Sequence, residues 1–424
     1  NAAKDAAEAA ADQAASDKDA AEQAHVDAVA AANTALDHRI DDLAAILYCV
    51  GVLSNHDRKA FVFSVDWLAQ LFQFPQYKSV MLCYLSKQGA GKGELVRLIR
   101  SMIGPESVLT TTKPQERVWC RFNAHLATKY LVVLNEVGSR GFAHAKNEIK
   151  ALITDGTIDV EVKFGSITTI DSYHRFLYTA QVEDGDAIPT EDDERRYYVV
   201  RCSDELCTGH ADHHATFAAL VQRESAQRDF YDFLMQWDLR TRIIGKEQID
   251  AAMTDHHRQL NAANRGPVEK FVASLADEEG EEGEEDEERL VLSNDDLYAR
   301  FRAFCDSSGS ACQGKQSFTT VLGRMIKQDP SLATRLNSGR VRSWSFDLAR
   351  LREVYGDAAN EEGGEEGEAK LTSDYYLGLA RQFFEQPEPG AVEDAEEGAE
   401  EGELAKEGEG EDDEWQPGEL AEEG

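Results

Sequence analysis

Between residues 86 and 93 the chain reads Ser86-Lys87-Gln88-Gly89-Ala90-Gly91-Lys92-Gly93, residue types that suit a polyphosphate. Glycines let successive backbone N–H groups turn toward one anion, a helix start adds its positive dipole end, and a lysine at the lip reaches the outer phosphates. The flanks agree. An apolar run, Val80 to Leu85, precedes the loop and Glu94-Leu95-Val96-Arg97-Leu98-Ile99-Arg100 follows it, which is the order strand, glycine loop, helix. This predicts a nucleoside triphosphate with its phosphates on Gln88, Gly89, Ala90, Gly91, Lys92 and Gly93. Two positions depart from the phosphate-loop pattern G-x-x-x-x-G-K-[ST]. Ser86 stands for the first glycine, and Gly93 for the hydroxyl residue that binds Mg²⁺.

A second apolar run, Tyr130 to Leu134, ends in Asn135-Glu136. An acid at such a strand tip can orient and polarise an attacking water. Glu136 fits that role. Asn135 stands where a metal-linked acid is expected, and its amide oxygen can accept from a metal-bound water. The expectation is ATP with Mg²⁺, the ion held through water by Asn135 and Glu136. A third strand-like run, Arg175 to Tyr178, leads into Thr179-Ala180-Gln181, where Gln181 could bond the γ-phosphate or the water. The plainer reading is a polar residue where a strand enters a loop.

Asp193-Glu194-Arg195-Arg196 precedes the run Tyr197 to Val200. Arg195 or Arg196 could stabilise transition-state charge in a neighbouring subunit, or form surface ion pairs with Glu191 and Glu194. Two strand-like runs flank Lys163-Phe164-Gly165, a hairpin tip suited to single-stranded nucleic acid: Lys163 for phosphate, Phe164 for stacking on a base. The alternative is an ordinary hairpin whose Phe packs inward. Cys202, Cys207, His210, His213 and His214 cluster without a tight C-x₂-C pair, so no zinc site is expected.

The elements that must position these residues alternate. Asp66 to Phe72 has helical apolar spacing and stops before Pro75; the helix after the glycine loop stops at Gly104-Pro105. Strand-like runs recur through Val200 with helical segments between several of them, which argues for an α/β domain. Residues 1–40 are Ala-rich and lack Gly and Pro, which predicts a helical extension. Residues 294–304 and 317–326 are amphipathic helices, the first with Ser293 or Asn294 as cap. Residues 340–346 read as part of a hairpin. Residues 290–355 carry net +4, and two helices with a basic β-ribbon suggest a winged-helix module.

The net charge of −36 argues against nucleic acid until it is located: residues 277–289 carry net −9 and residues 357–424 net −22. These Glu/Gly tracts cannot bury a core and are expected to be disordered. The boundaries that follow are a helical extension (1–40), an α/β domain (41–276), an acidic linker (277–289), a winged-helix-like module (290–355) and an acidic tail (356–424). No apolar run approaches the roughly 20 residues of a membrane span, nothing resembles a signal peptide, and seven scattered cysteines suggest an intracellular, soluble setting. The chain begins with Asn, which suggests a piece of a longer protein.

The order loop, acid strand, hairpin, amide strand, arginine resembles the superfamily 3 helicases, and more closely the helicase part of viral, phage and plasmid primase–helicases. The resemblance covers about residues 60–350. It is carried by Asp66-Trp67-Leu68-Ala69, Pro75, Gln88 to Gly93, Trp119-Cys120-Arg121-Phe122-Asn123, Asn135-Glu136, Lys150, Ile153-Thr154, Lys163, Ser172 to Phe176 and Arg195-Arg196. The Gly-Lys-Gly ending also looks like this family. Cys120 departs from it where Gly is usual, and Thr179-Ala180-Gln181 stands for Thr-Ser-Asn. The resemblance implies a P-loop NTPase core of the AAA+-like kind and a homo-hexameric ring that uses ATP to pull single-stranded DNA through its centre. It also implies a primase in cis or in trans. Two rival readings are a catalytically weak ATP-binding assembly platform and a P-loop nucleotide kinase. The second lacks an Arg-rich lid.

Overall fold

The computed structural model describes residues 2–137, 146–181, 188, 190, 195–207, 211–278, 281–282, 288–338, 341–355 and 369–385. Its first unit contains strands β1 (Met81–Leu85), β2 (Val108–Thr111), β3 (Leu131–Asn135), β4 (Thr157–Glu161), β5 (Ile167–Asp171), β6 (Arg175–Ala180) and β7 (Tyr197–Arg201). Five of these form one parallel sheet in the order β2-β3-β6-β1-β7. The fold is therefore mixed α/β. Parallel strands need cover on both faces, and the period-two alternation supplies it. Leu82 and Tyr84 of β1, Leu131 and Val133 of β3, and Tyr198 and Val200 of β7 enter one core. Met81, Cys83, Leu85, Val132, Leu134, Tyr197 and Val199 enter the other.

The first core is roofed by helices α1 (Ala2–Leu53), α2 (Arg58–Gln73) and α3 (Lys92–Ile103). Asp57 caps α2 by accepting from the Ala60 amide at 2.7 Å, and Trp67 donates to the Val80 carbonyl at 2.8 Å, fixing α2 against the approach to β1. The second core takes Ile149 and Ile153 from α4 (Lys146–Thr154). Helices α5 (Ala211–Leu220) and α6 (Glu224–Gln236) return to the first core.

Three expected boundaries shift. Residue 40 is no boundary, because α1 continues to Leu53, with Leu43, Ile46, Leu47, Val50 and Leu53 buried at helical spacing. No proline interrupts it, and alanine propensity carries the helix into the core. The second unit begins earlier than residue 290. Helix α7 (Pro267–Ser274) places Val268, Phe271 and Val272 in the same core as α8 (Asn294–Ser308), α9 (Lys315–Gln328) and α10 (Leu348–Tyr355). Pro267 and the Glu269 carboxylate, which accepts from the Gly266 amide at 2.6 Å, start α7 cleanly. The 277–289 stretch is not wholly irregular: β8 (Glu281–Glu282) pairs with β9 (Glu288–Ser293), extending an antiparallel sheet ordered β10-β11-β9-β8, with β10 at Ala333–Ser338 and β11 at Val341–Asp347. Residues 279–280 and 283–287 lie outside the described residues.

The third shift is in the tail. Helix α11 (Ser373–Glu385) packs along α1, with Leu371, Tyr376 and Ala380 buried in the first core. Composition hid it, because only eight apolar and aromatic residues, between Leu371 and Phe384, sit between glutamate-rich tracts. Residues 356–368 and 386–424 lie outside the described residues.

Candidate nucleotide and nucleic-acid site

β1 is fully buried, and the Ser86 amide extends its ladder by bonding the Ala180 carbonyl at 3.2 Å. The chain then turns through two left-handed glycines, Gly89 (φ 101°) and Gly91 (φ 93°). A Cβ at Gly91 would also sit 3.1 Å from the Cys49 sulfur. Lys92 is the first residue of α3, and its Nζ bends back over the loop to the carbonyls of Ser86 (3.2 Å) and Lys87 (3.3 Å) and to the Ser86 hydroxyl. Ser86, a departure from the pattern, thus helps hold the lysine. Burial lowers the Lys92 pKa, and nearby thiol and carboxylate groups oppose the shift.

Opposite the loop, β3 delivers Asn135 and Glu136. Glu136 is left-handed (φ 51°) and exposed; its amide bonds the Thr179 carbonyl at 2.8 Å. The Thr179 hydroxyl donates to Asn135 Oδ1 at 2.9 Å. A pocket of about 500 Å³ results, lined by Gln88 to Gly93, Asn135, Glu136 and Gln181 together with Glu94, Thr110 and Thr179. The structure therefore gathers every residue expected around the phosphates. Thr179 and Glu94 were not singled out from the sequence. Thr179 left no local signal in the sequence, since its place as the register partner of Asn135 depends on β3 and β6 becoming neighbours. The oxygens of Asn135 and Glu136 are of the kind a hard cation such as Mg²⁺ takes through its waters; the Glu94 carboxylate is paired with Arg97 at 2.7 Å. Asn135 Oδ1 has a lone pair left after accepting from Thr179.

Arg195 and Arg196 lie elsewhere. The Arg196 carbonyl accepts from the Met81 amide at 2.7 Å, so both arginines stand at the amino-terminal edge of the sheet, across it from the pocket. Their expected acidic neighbours Glu191 and Glu194 lie outside the described residues. On the pocket's own side, Arg201 ends β7, and Asp204 pairs with Lys87 of the loop at 2.9 Å. Cys202 is buried and its thiol is pushed up to about 12 by that burial. Cys207 is half-buried; His210 and the side chains of His213 and His214 lie outside the described residues.

β4 and β5 form an isolated antiparallel hairpin. At its tip Phe164 is 96% exposed with φ 65°, and the Lys163 ammonium lies 5.3 Å from its ring centre. The inward-packed alternative fails. The hairpin is braced from outside by Asn123, which bonds Asp159 and Glu161 backbone atoms at 3.0 Å, and by an Arg121–Glu161 ion pair. Its base is pinned by Lys78, whose Nζ donates to the Leu152 carbonyl (2.7 Å) and the Ser172 hydroxyl (2.9 Å). Burial, with Arg175 nearby, pushes the Lys78 ammonium down to about 8.

In the second unit much of the excess positive charge is internally paired. Arg300 pairs with Glu278, Arg352 with Glu288, Arg350 with Asp329 and Glu353, and Lys315 with Asp295.

Residues 84–196 match a family described only as of unknown function, DUF5906. The chain is also similar to the DNA primase-polymerase of Nitratiruptor phage NrS-1, 29% identical over 159 residues, 36% of this chain. The match spans 21% of that protein's length. The apo structure of the NrS-1 C-terminal region (305–718) aligns with a TM-score of 0.51 at 18% identity, covering 72% of this chain and 75% of that one. This last likeness is one of fold. Among the described residues no helix is long and apolar enough to cross a membrane.

Proposed function

We propose that this chain is the motor part of a replication primase–helicase: a P-loop ATPase of the superfamily 3 kind that moves on single-stranded DNA. One observation carries the reading. Lys92, Asn135, Glu136 and Gln181, from three separate strand ends, converge on a single pocket beneath a glycine loop. In this reading Lys92 neutralises the β- and γ-phosphates of ATP, and Glu136 accepts the proton of the attacking water. Thr179 holds the Asn135 amide so that its oxygen faces the metal's water shell, and Gln181 bonds the γ-phosphate. Mg²⁺, when bound, would supply charge neutralisation that neither Gly93 nor Asn135 brings.

The hairpin tip meets DNA through Lys163 and Phe164. Arg195 or Arg196, remote from its own pocket, would serve the next subunit of a homo-hexamer. The 267–355 unit is read as winged-helix-like, with a primase acting in cis or in trans. Similarity to a protein named DNA primase-polymerase supports a replication role.

The test is ATP hydrolysis by purified variants. Lys92→Ala and Glu136→Gln are each expected to lower turnover by at least about 10²-fold, Glu136→Gln with ATP binding retained. Unchanged turnover in either overturns the assignment. A second reading, an ATP-binding assembly platform, is favoured by the uncharged Gly93 and Asn135. It prevails if the native chain binds ATP and assembles but does not turn it over. Hydrolysis without any acceptor excludes a nucleotide kinase.

A further inference from the structure

A second pocket of about 430 Å³ adjoins the glycine loop, and Gly91 lines both it and the phosphate pocket. Ala45 and Tyr48 of α1, Leu206 of the loop after β7, Phe217 of α5 and Leu377 of α11 form an apolar lining. Thr216, Ser373 and Asp374 are exposed and place polar groups at its rim. Three chain segments remote in sequence, 44–49, 206–220 and 373–377, thus meet beside one turn of the loop.

The α11 wall is held firmly. Tyr376 occupies a notch that only glycine permits, since a Cβ at Gly51 would lie 2.0 Å from the Tyr376 hydroxyl oxygen. That hydroxyl bonds His56 Nδ1 at 2.8 Å, His56 Nε2 meets Glu205 at 2.7 Å, and Tyr48 donates to Glu205 at 2.8 Å. The Leu371 amide donates to the His56 carbonyl at 2.9 Å. The chain of bonds ties α11 to α1 and to the same post-β7 loop that pairs with Lys87 through Asp204.

We propose that this pocket receives the base of the nucleoside triphosphate whose phosphates lie on Gly89 to Gly93, and that α11 is the wall that completes it. This rests on the reading of the phosphate pocket given above. An apolar slot with polar groups at one edge suits a flat heterocycle, which buries its faces and presents donors at its rim. The Asp374 carboxylate accepts, so it favours a base with an exocyclic amino group. Gly91, which lines both pockets, is where the sugar would pass from one to the other. A helix beyond the second unit thereby becomes part of the nucleotide site, and nucleotide binding must favour its docked position by linkage.

The experiment compares Mg²⁺-ATP with inorganic triphosphate by calorimetry on the native chain and on Ala45→Trp and Leu377→Trp, which fill the slot from two different helices. The native chain should bind ATP at least about tenfold more tightly than triphosphate, a difference of about 1.4 kcal/mol. Both variants should bind triphosphate as the native chain does and lose the ATP advantage. Native ATP affinity in the filled variants overturns the base pocket. So does a native chain that binds triphosphate but gains nothing from the nucleoside, an outcome that leaves the phosphate reading standing. A native chain that binds neither ligand overturns both.

Discussion

At the scale of single residues, the site is built from short-range rules plus a few buried polar pins. Gly89 and Gly91 are left-handed, and Lys92 follows because the helix must start there. Glu136 adopts an unfavourable left-handed backbone that costs about 1–3 kcal/mol. It is held there by its amide bond to Thr179 across the sheet. Lys78 is the pin with a pH signature. Its ammonium is pushed from the ordinary 10.5 down to about 8, so between those values the unfolded chain binds more protons than the folded one. Stability from this group therefore rises with pH from about 8 to about 10.5. Urea unfolding should show the native chain gaining stability relative to Lys78→Met over that window; parallel pH profiles would contradict it. The glycine loop and Asn135-Glu136 were legible in the sequence because each is a local pattern at a strand tip, whereas Gln181 reads equally as an ordinary strand end. Thr179's bond to Asn135 and the Lys78–Ser172 contact were not, because they depend on which strands become neighbours.

At the scale of elements, β6 joins the two halves of the proposed machine. It runs from Arg175, buried against Gln70 and Phe74 at the hairpin's base, to Thr179 and Gln181 at the phosphate pocket. Six residues of strand span about 17–20 Å, so in the proposed reading one strand links the pocket to the base of the hairpin. The alternation of apolar runs made an α/β sheet readable, although the strand order was not, since pairing between segments a hundred residues apart leaves no local trace. The same limit hid α11. Its anchors lie 320 residues apart in the Tyr376–His56 pair, and composition assigned it to a solvated tail. Gly51→Ala tests that docking. Its methyl cannot coexist with Tyr376, and overpacking of this kind costs about 1–3 kcal/mol. Denaturant unfolding should show that loss, and full native stability would mean that α11 is not seated in this notch.

At the scale of the whole molecule, the charge that weighs against nucleic acid resides mostly in the acidic tracts, and 290–355 carries net +4. Even there, several bases are spent on internal pairs, so the hairpin is the better candidate for strand contact. The position of Arg195 and Arg196 on the sheet edge remote from the pocket suits action between copies. Electron micrographs with ATP and single-stranded DNA should then show six-fold rings; monomers under those conditions would remove the trans role.

The central claim is that hydrolysis in the Lys92–Glu136 pocket is coupled to a DNA strand at the Phe164 hairpin. Steady-state ATP turnover, measured against increasing single-stranded DNA in the native chain and in a Lys163→Ala, Phe164→Ala double variant, tests it most directly. The account predicts that the strand accelerates the native chain several-fold and that the double variant loses this stimulation while staying folded, since Phe164 is almost wholly exposed. Native turnover indifferent to the strand, or equal stimulation in the double variant, would contradict it.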